Sequence, residues 1–114
     1  MTNTEKLIEK LALALADARE AASKAVESNP EDGGSCNFDA PFIQVPPRTR
    51  RTTVKAAARK AGVNAYPMPY RGSGYWLIGG LAGGQGNSRT RAAEAARQAI
   101  KEHDIPCWVH YQVD

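Results

Sequence analysis

The sequence predicts an α+β fold: a long N-terminal helix, then an antiparallel sheet with two shorter helices on one face. Three observations predict it. Apolar residues recur at steps of three or four in some segments and alternate in others. Clusters of glycine, proline and asparagine separate those segments. The 114 residues, 42% of them apolar and 24% charged, have the size and composition of one globular domain.

Residues 3–28 read as one helix. Thr2 and Glu5 have capping-box spacing. Leu7, Leu11, Leu15, Ala18, Ala22, Ala25 and Val26 form one apolar stripe, and alanine favours helix intrinsically. Asn29-Pro30 and Asp32-Gly33-Gly34 end it. Such a helix is ~37 Å long, against a radius of gyration of ~13 Å for a domain of this size. Residues 1–28 are therefore expected to overhang the domain of residues 29–114 and to pack on a second subunit.

Residues 30–40 form a loop, and Phe42-Ile43-Gln44-Val45 a short strand closed by Pro46-Pro47. Residues 49–61 read as a helix with Thr49 as candidate cap, Val54, Ala57, Ala58 and Ala61 as its apolar face, and Gly62 at its end. Val63 to Tyr70 is extended. Pro67 and Pro69 each remove a ladder donor and confine it to a sheet edge. After the turn Arg71-Gly72-Ser73-Gly74, Tyr75-Trp76-Leu77-Ile78 is a strand. Gly79 to Asn87 is a glycine-rich loop. Ser88 to His103 is the last helix, capped by Asn87 or Ser88. Ile105 to Val113 is the last strand, with Cys107, Val109, Tyr111 and Val113 on one face and Trp108, His110 and Gln112 on the other. The order β-α-β-β-α-β is the ferredoxin-like one.

Several classes are excluded or unexpected. No apolar run approaches the ~20 residues of a membrane-spanning helix. The polar opening Met1 to Lys6 lacks the pattern of a secretory signal. Cys36 and Cys107 are too few for a disulfide framework, and no second Cys/His pair has zinc-site spacing. A cytoplasmic protein without metal or cofactor is expected. The net charge of +3 hides an asymmetry, −4 over residues 1–47 and +7 over residues 48–114. A basic half of that size fits an anionic partner or a solvated basic surface.

Two arginine-bearing helix starts carry the functional signal. In Gly84-Gln85-Gly86-Asn87-Ser88-Arg89-Thr90-Arg91 a glycine loop runs into a helix. Arg89 and Arg91 then sit where the helix dipole disfavours a cation by ~0.3–1 kcal/mol, which makes sense if an anion binds between them. No Gly-Lys-Ser/Thr follows, and the third glycine of the dinucleotide fingerprint is replaced by Arg89. The alternative is a flexible turn with solvated arginines. Arg48, Arg50 and Arg51 repeat the pattern at the middle helix, and guanidinium forks suit phosphate oxygens. Tyr75 and Trp76 point to opposite faces of their strand, as do Trp108 and Tyr111; an exposed ring could stack a base, and a buried one would be core. No spacing ties His103 or His110 to Cys36 or to an orienting carboxylate, so no catalytic residue is assigned.

The stretches Asp32-Gly33-Gly34-Ser35-Cys36-Asn37-Phe38-Asp39, Gly74-Tyr75-Trp76, Gly84 to Arg91 and Tyr111-Gln112-Val113-Asp114 resemble a phage family, the first type of Thoeris anti-defence protein. The resemblance implies a sponge in the cytoplasm of an infected bacterium. It would bind the cyclic ADP-ribose isomer made by bacterial TIR enzymes, and cyclic oligonucleotide signals as well, without cleaving them. It further implies a homo-oligomer with nucleotide sites between subunits, and ligand contacts from Trp76, Asn87 and one of Arg48, Arg50 and Arg51.

Two other readings remain open. Arg71-Gly72-Ser73-Gly74-Tyr75-Trp76-Leu77-Ile78 partly echoes the third-strand signature of RRM domains, on a matching strand order. That implies a single-stranded RNA-binding module, although a first strand with only Phe42 matches the second signature poorly. A thiol enzyme acting through Cys36 is the third reading.

Overall fold

The computed structural model describes residues 1–28, 38–81 and 86–112, with Gly86 and Asn87 described by their backbone alone. The elements are α1 (Asn3–Ser28), β1 (Ala40–Gln44), α2 (Arg51–Ala61), β2 (Asn64–Pro67), a single 3-10 turn (Pro69–Arg71), β3 (Tyr75–Gly79), α3 (Gly86–Lys101) and β4 (Cys107–His110). The strands form one sheet in the order β2-β3-β1-β4, every neighbour antiparallel. The α+β class and the ferredoxin-like order are as expected, with β2 and its proline at an edge.

Alternation along the strands sorts the residues. Ile43 lies opposite Trp76 and Cys107, and Ala65 opposite Ile78. All five are buried beneath the helices. α2 packs on the β2 side and α3 on β1 and β4. Gly62 closes α2 in a left-handed conformation at φ 76°. The Val63 N–H donates to Ala58 O at 3.0 Å and the Gly62 N–H to Arg59 O at 3.1 Å, a Schellman cap.

α1 opens with the expected capping box. Thr2 Oγ1 accepts from the Glu5 N–H at 3.1 Å and Glu5 Oε1 from the Thr2 N–H at 3.3 Å. Its stripe is used differently from the expectation. Leu11, Ala14, Leu15, Ala18 and Ala22 are buried within their own chain, against α3 and α2. Alanine lets the helix backbones approach closely, and α1 completes the core across both shorter helices. His103 Nε2 lies 2.6 Å from Asp17 Oδ2, tying the chain just past α3 to α1. The molecule is elongated, 45 × 28 × 20 Å.

Three boundaries also differ. Thr49 is not the cap of α2. Its hydroxyl donates to Pro46 O at 2.6 Å, and Arg50 occupies the N-cap without a side-chain bond. α3 begins at Gly86, so Asn87 and Ser88 lie in its first turn and do not cap it. β4 stops at His110. Beyond it the Asp39 carboxylate accepts the Gln112 N–H at 2.8 Å, replacing a ladder bond.

Candidate nucleotide-binding face

The sheet face opposite the helices carries the aromatic side chains. Tyr66, Leu77, Phe42 and Trp108 pair in register across all four strands, and Tyr75 shares their face two residues from Leu77. Phe42 and Trp108 stack with centroids 5.3 Å apart and planes 24° apart. Tyr75 lies 6.3 Å from Phe42 and 6.0 Å from Trp108, within the range of favourable ring contacts. The Arg71 guanidinium lies 4.2 Å from the Phe42 centroid, a cation–π distance. Phe42 is covered by these neighbours, whereas Trp108 is 38% and Tyr66 49% exposed. Tyr66 reaches along the sheet over Gly79, where a Cβ would fall 2.9 Å from its Cε2. The bare glycine backbone gives that ring its resting place.

Trp76 is on the other face. It is 4% exposed, packed in the core, with Lys55 Nζ 6.0 Å from its ring centroid. It is a core residue, and its burial beneath the helices leaves it no face to stack a base, contrary to expectation. Tyr75, its neighbour, is the ring on the open face.

The two arginine clusters do not meet within one chain. Gln44 pairs with Tyr75, so α2 starts at the Tyr75 end of the sheet. Gly79 pairs with Asn64 at the other end of β3, and α3 starts there. A strand of this length separates the ends by ~16 Å. At the α2 end a hollow of about 400 Å³ is lined by residues that include Thr49, Arg51, Pro69, Ser73, Tyr75 and Trp76. Arg48 and Arg50 line a different hollow, beside Asn3 and Leu7 of α1. Arg51 is therefore the arginine of this cluster that shares a hollow with Tyr75.

At the start of α3, Ser88 is wholly buried. Its Oγ and the buried Nε of Arg89 have no hydrogen-bond partner among the described residues. Arg89 shares a cavity of about 30 Å³ with Asp39, Gly79 and Gly80, room for a water or two. The Asp39 carboxylate also accepts from the Thr90 hydroxyl at 2.7 Å. The chain's own anion thus stands near Arg89, on a helix with no acidic residue in its first turn. That offsets part of the dipole argument for an outside anion. Arg91 is half-buried. Gly84 and Gln85 lie outside the described residues, as do Cys36 and the side chain of Asn87; Gly86 is described as the first residue of α3.

Cys107 is buried, and burial pushes its thiol up to about 12 from 9.0, so it holds its proton at neutral pH. His103 is engaged with Asp17, and His110 Nε2 lies 3.1 Å from Gln112 Oε1. No group of three or more His, Cys, Asp or Glu among the described residues could hold a metal. No described helix is long and apolar enough to cross a membrane.

Sequence reasoning placed Phe42, Tyr75 and Trp108 on strands and Arg71 in the stretch that echoes an RRM signature, but passed over Tyr66. Tyr66 was accessible through its alternation with Ala65. The position of Arg71 over Phe42 was not, because it depends on how the 3-10 turn folds back. Comparison with protein-family models, with curated proteins and with solved structures returns no match. What the face binds has to be read from its own chemistry.

Proposed function

We propose that this protein binds nucleotides without transforming them, with the base stacked on the open face of the sheet. One observation carries the reading. An aromatic cluster with an arginine lying on it occupies the face that no described element covers. Aromatic rings receive bases and guanidinium receives phosphate. The +7 charge of residues 48–114 supports an anionic ligand. The inert thiol of Cys107 and the engaged histidines support binding over catalysis.

The resemblance to Thoeris anti-defence proteins supplies the first candidate ligand, a cyclic ADP-ribose-type signal sequestered in the host cytoplasm, with cyclic oligonucleotides as a second class. Homo-oligomeric sites between subunits would let Arg51 of one chain face Arg89 or Arg91 of another, which a single chain cannot do. The second reading, a single-stranded RNA-binding module, is favoured by a specific observation: Phe42 on β1 and Tyr75 on β3 share the open face of a β2-β3-β1-β4 sheet.

Calorimetric titration with cyclic ADP-ribose and with a single-stranded RNA at two salt concentrations tests both. RNA affinity should fall steeply with salt over many phosphates, and affinity for a two-phosphate signal much less. Heating a saturated complex should return the ligand unaltered. Recovery of a hydrolysed product would make the protein an enzyme, and failure of Trp108→Ala to weaken any ligand would remove the open face as the site.

A further inference from the structure

We infer that the free edge of β4 is a docking site for an extended acidic peptide, which joins the four-stranded sheet as a further strand. The inference does not depend on what the open face binds. It starts from a difference between the two outer strands. On β2 the Met68 N–H donates to Tyr75 O at 2.9 Å. In that phase Asn64 and Tyr66 bond β3, and Ala65 and Pro67 turn their backbone groups outward. Pro67 has no N–H, and the Ala65 carbonyl accepts from Lys55 Nζ at 3.1 Å. Proline and lysine are devices that keep a sheet edge from pairing.

β4 lacks that protection over most of its length. The Gln44 N–H donates to Pro106 O at 3.1 Å and the Phe38 N–H to Gln112 O at 2.8 Å. Alternation turns Trp108 and His110 toward β1, and the backbone groups of Cys107, Val109 and Tyr111 outward. Of these the Cys107 carbonyl is taken, accepting from Arg97 Nε at 3.0 Å. No described strand lies beyond β4. An added strand can therefore exchange both backbone bonds with Val109 and draw on the Cys107 N–H and on Tyr111 at either side. Such main-chain bonds supply the affinity when a peptide extends a sheet, and alternate side chains supply the specificity.

The charges beside the edge select the partner. Arg97 and Lys101 lie four residues apart on α3, on one face of the helix, and both act on the Cys107 thiol. Neither forms an ion pair among the described residues. Alternate side chains of an added strand point to the helix side of the sheet, so acidic residues at every second position meet these cations. A basic peptide would bring like charge, and a second copy of β4 would bring its own Arg97 and Lys101.

The test titrates the full chain with two blocked peptides, acetyl-Glu-Thr-Glu-Thr-Glu-Thr-Glu-amide and its counterpart with lysine in place of glutamate. The acidic peptide should bind at least about tenfold tighter than the basic one, and should slow hydrogen exchange at the Val109 and Tyr111 amides. Val109→Pro removes an outward N–H without removing a bond to β1, and should weaken the acidic peptide about tenfold. Lys101 is exposed, so Lys101→Glu keeps the test available if the proline disturbs the strand; it should weaken the acidic peptide severalfold.

Equal binding of the two peptides, or binding by neither, would overturn the inference. So would binding of the acidic peptide that leaves the Val109 amide unprotected and is indifferent to Val109→Pro, because the contact would then lie elsewhere. Light scattering covers a second copy as occupant. Self-association that disappears in Val109→Pro, without a response to the acidic peptide, would make this edge a contact between copies of the chain and overturn the peptide reading.

Discussion

The two faces of the sheet each carry one tryptophan, and the two residues have opposite fates. Trp76 on β3 is 4% exposed beneath the helices, and Trp108 on β4 is 38% exposed on the open side. Both sit in apolar strand segments, so composition does not separate them. What separates them is strand parity together with the position of the helices. The helix face is filled by Ile43, Ala65, Trp76, Ile78 and Cys107, closed off by alanine-rich helices. The open face replaces that covering with rings stacked on one another and with Arg71. A ring under the helices contributes to stability, and a ring on the open face is free to contribute to recognition.

The sharpest way to break this contrast is to truncate both tryptophans. Trp76→Ala should cost ~3–5 kcal/mol of stability, read as a lower urea midpoint. Trp108→Ala should cost much less, about 1 kcal/mol, and should weaken nucleotide binding instead, by the ~1–3 kcal/mol of one base stack. Comparable stability losses from both would mean that the open face is covered in solution.

A smaller effect comes from the thiol on the helix face. Its folded pKa of about 12 exceeds the ordinary value of 9.0 because burial disfavours the thiolate. The folded state therefore holds a proton that the unfolded state releases. The stability linked to Cys107 is fully present below pH 9 and declines as pH rises toward 12, by up to a few kcal/mol. Cys107→Ala should flatten that decline relative to the wild type in pH-dependent denaturation. An unchanged slope would place the thiol in water.

The smallest predicted effect is Gly79→Ala. Its new methyl group would meet Tyr66 Cε2 at 2.9 Å, so the ring must swing away. Stability should change by less than about 1 kcal/mol, while affinity for a nucleotide stacked on the open face falls severalfold. No change in affinity would show that the position of Tyr66 is immaterial.

Much of this molecule was legible in the chain itself. The capping box of α1, the Schellman glycine of α2, the proline-marked edge strand and the β-α-β-β-α-β order all follow from local rules: hydrogen-bonding side chains at fixed offsets, φ preferences and hydrophobic period. The boundaries that failed, at Thr49 and Ser88, failed where the side chain does something other than cap: Thr49 bonds Pro46, and Ser88 is buried in the first turn of α3.

The candidate site was less legible, and the reasons are specific. Residues 48–51 and 86–91 both place arginines at helix starts, but antiparallel strands put those starts at opposite ends of the sheet. The stripe of α1 had the spacing of a helix-packing surface, but spacing does not say which helix it meets, and α2 and α3 of the same chain meet it. Sequence by itself determined the elements, their order and the two-residue alternation of each strand. Only the tertiary structure decided which parity faces the helices. That choice is cooperative: a one-residue slip of β3 would send Trp76 and Ile78 to the other face together, and the burial of the whole set outweighs any preference held by one residue.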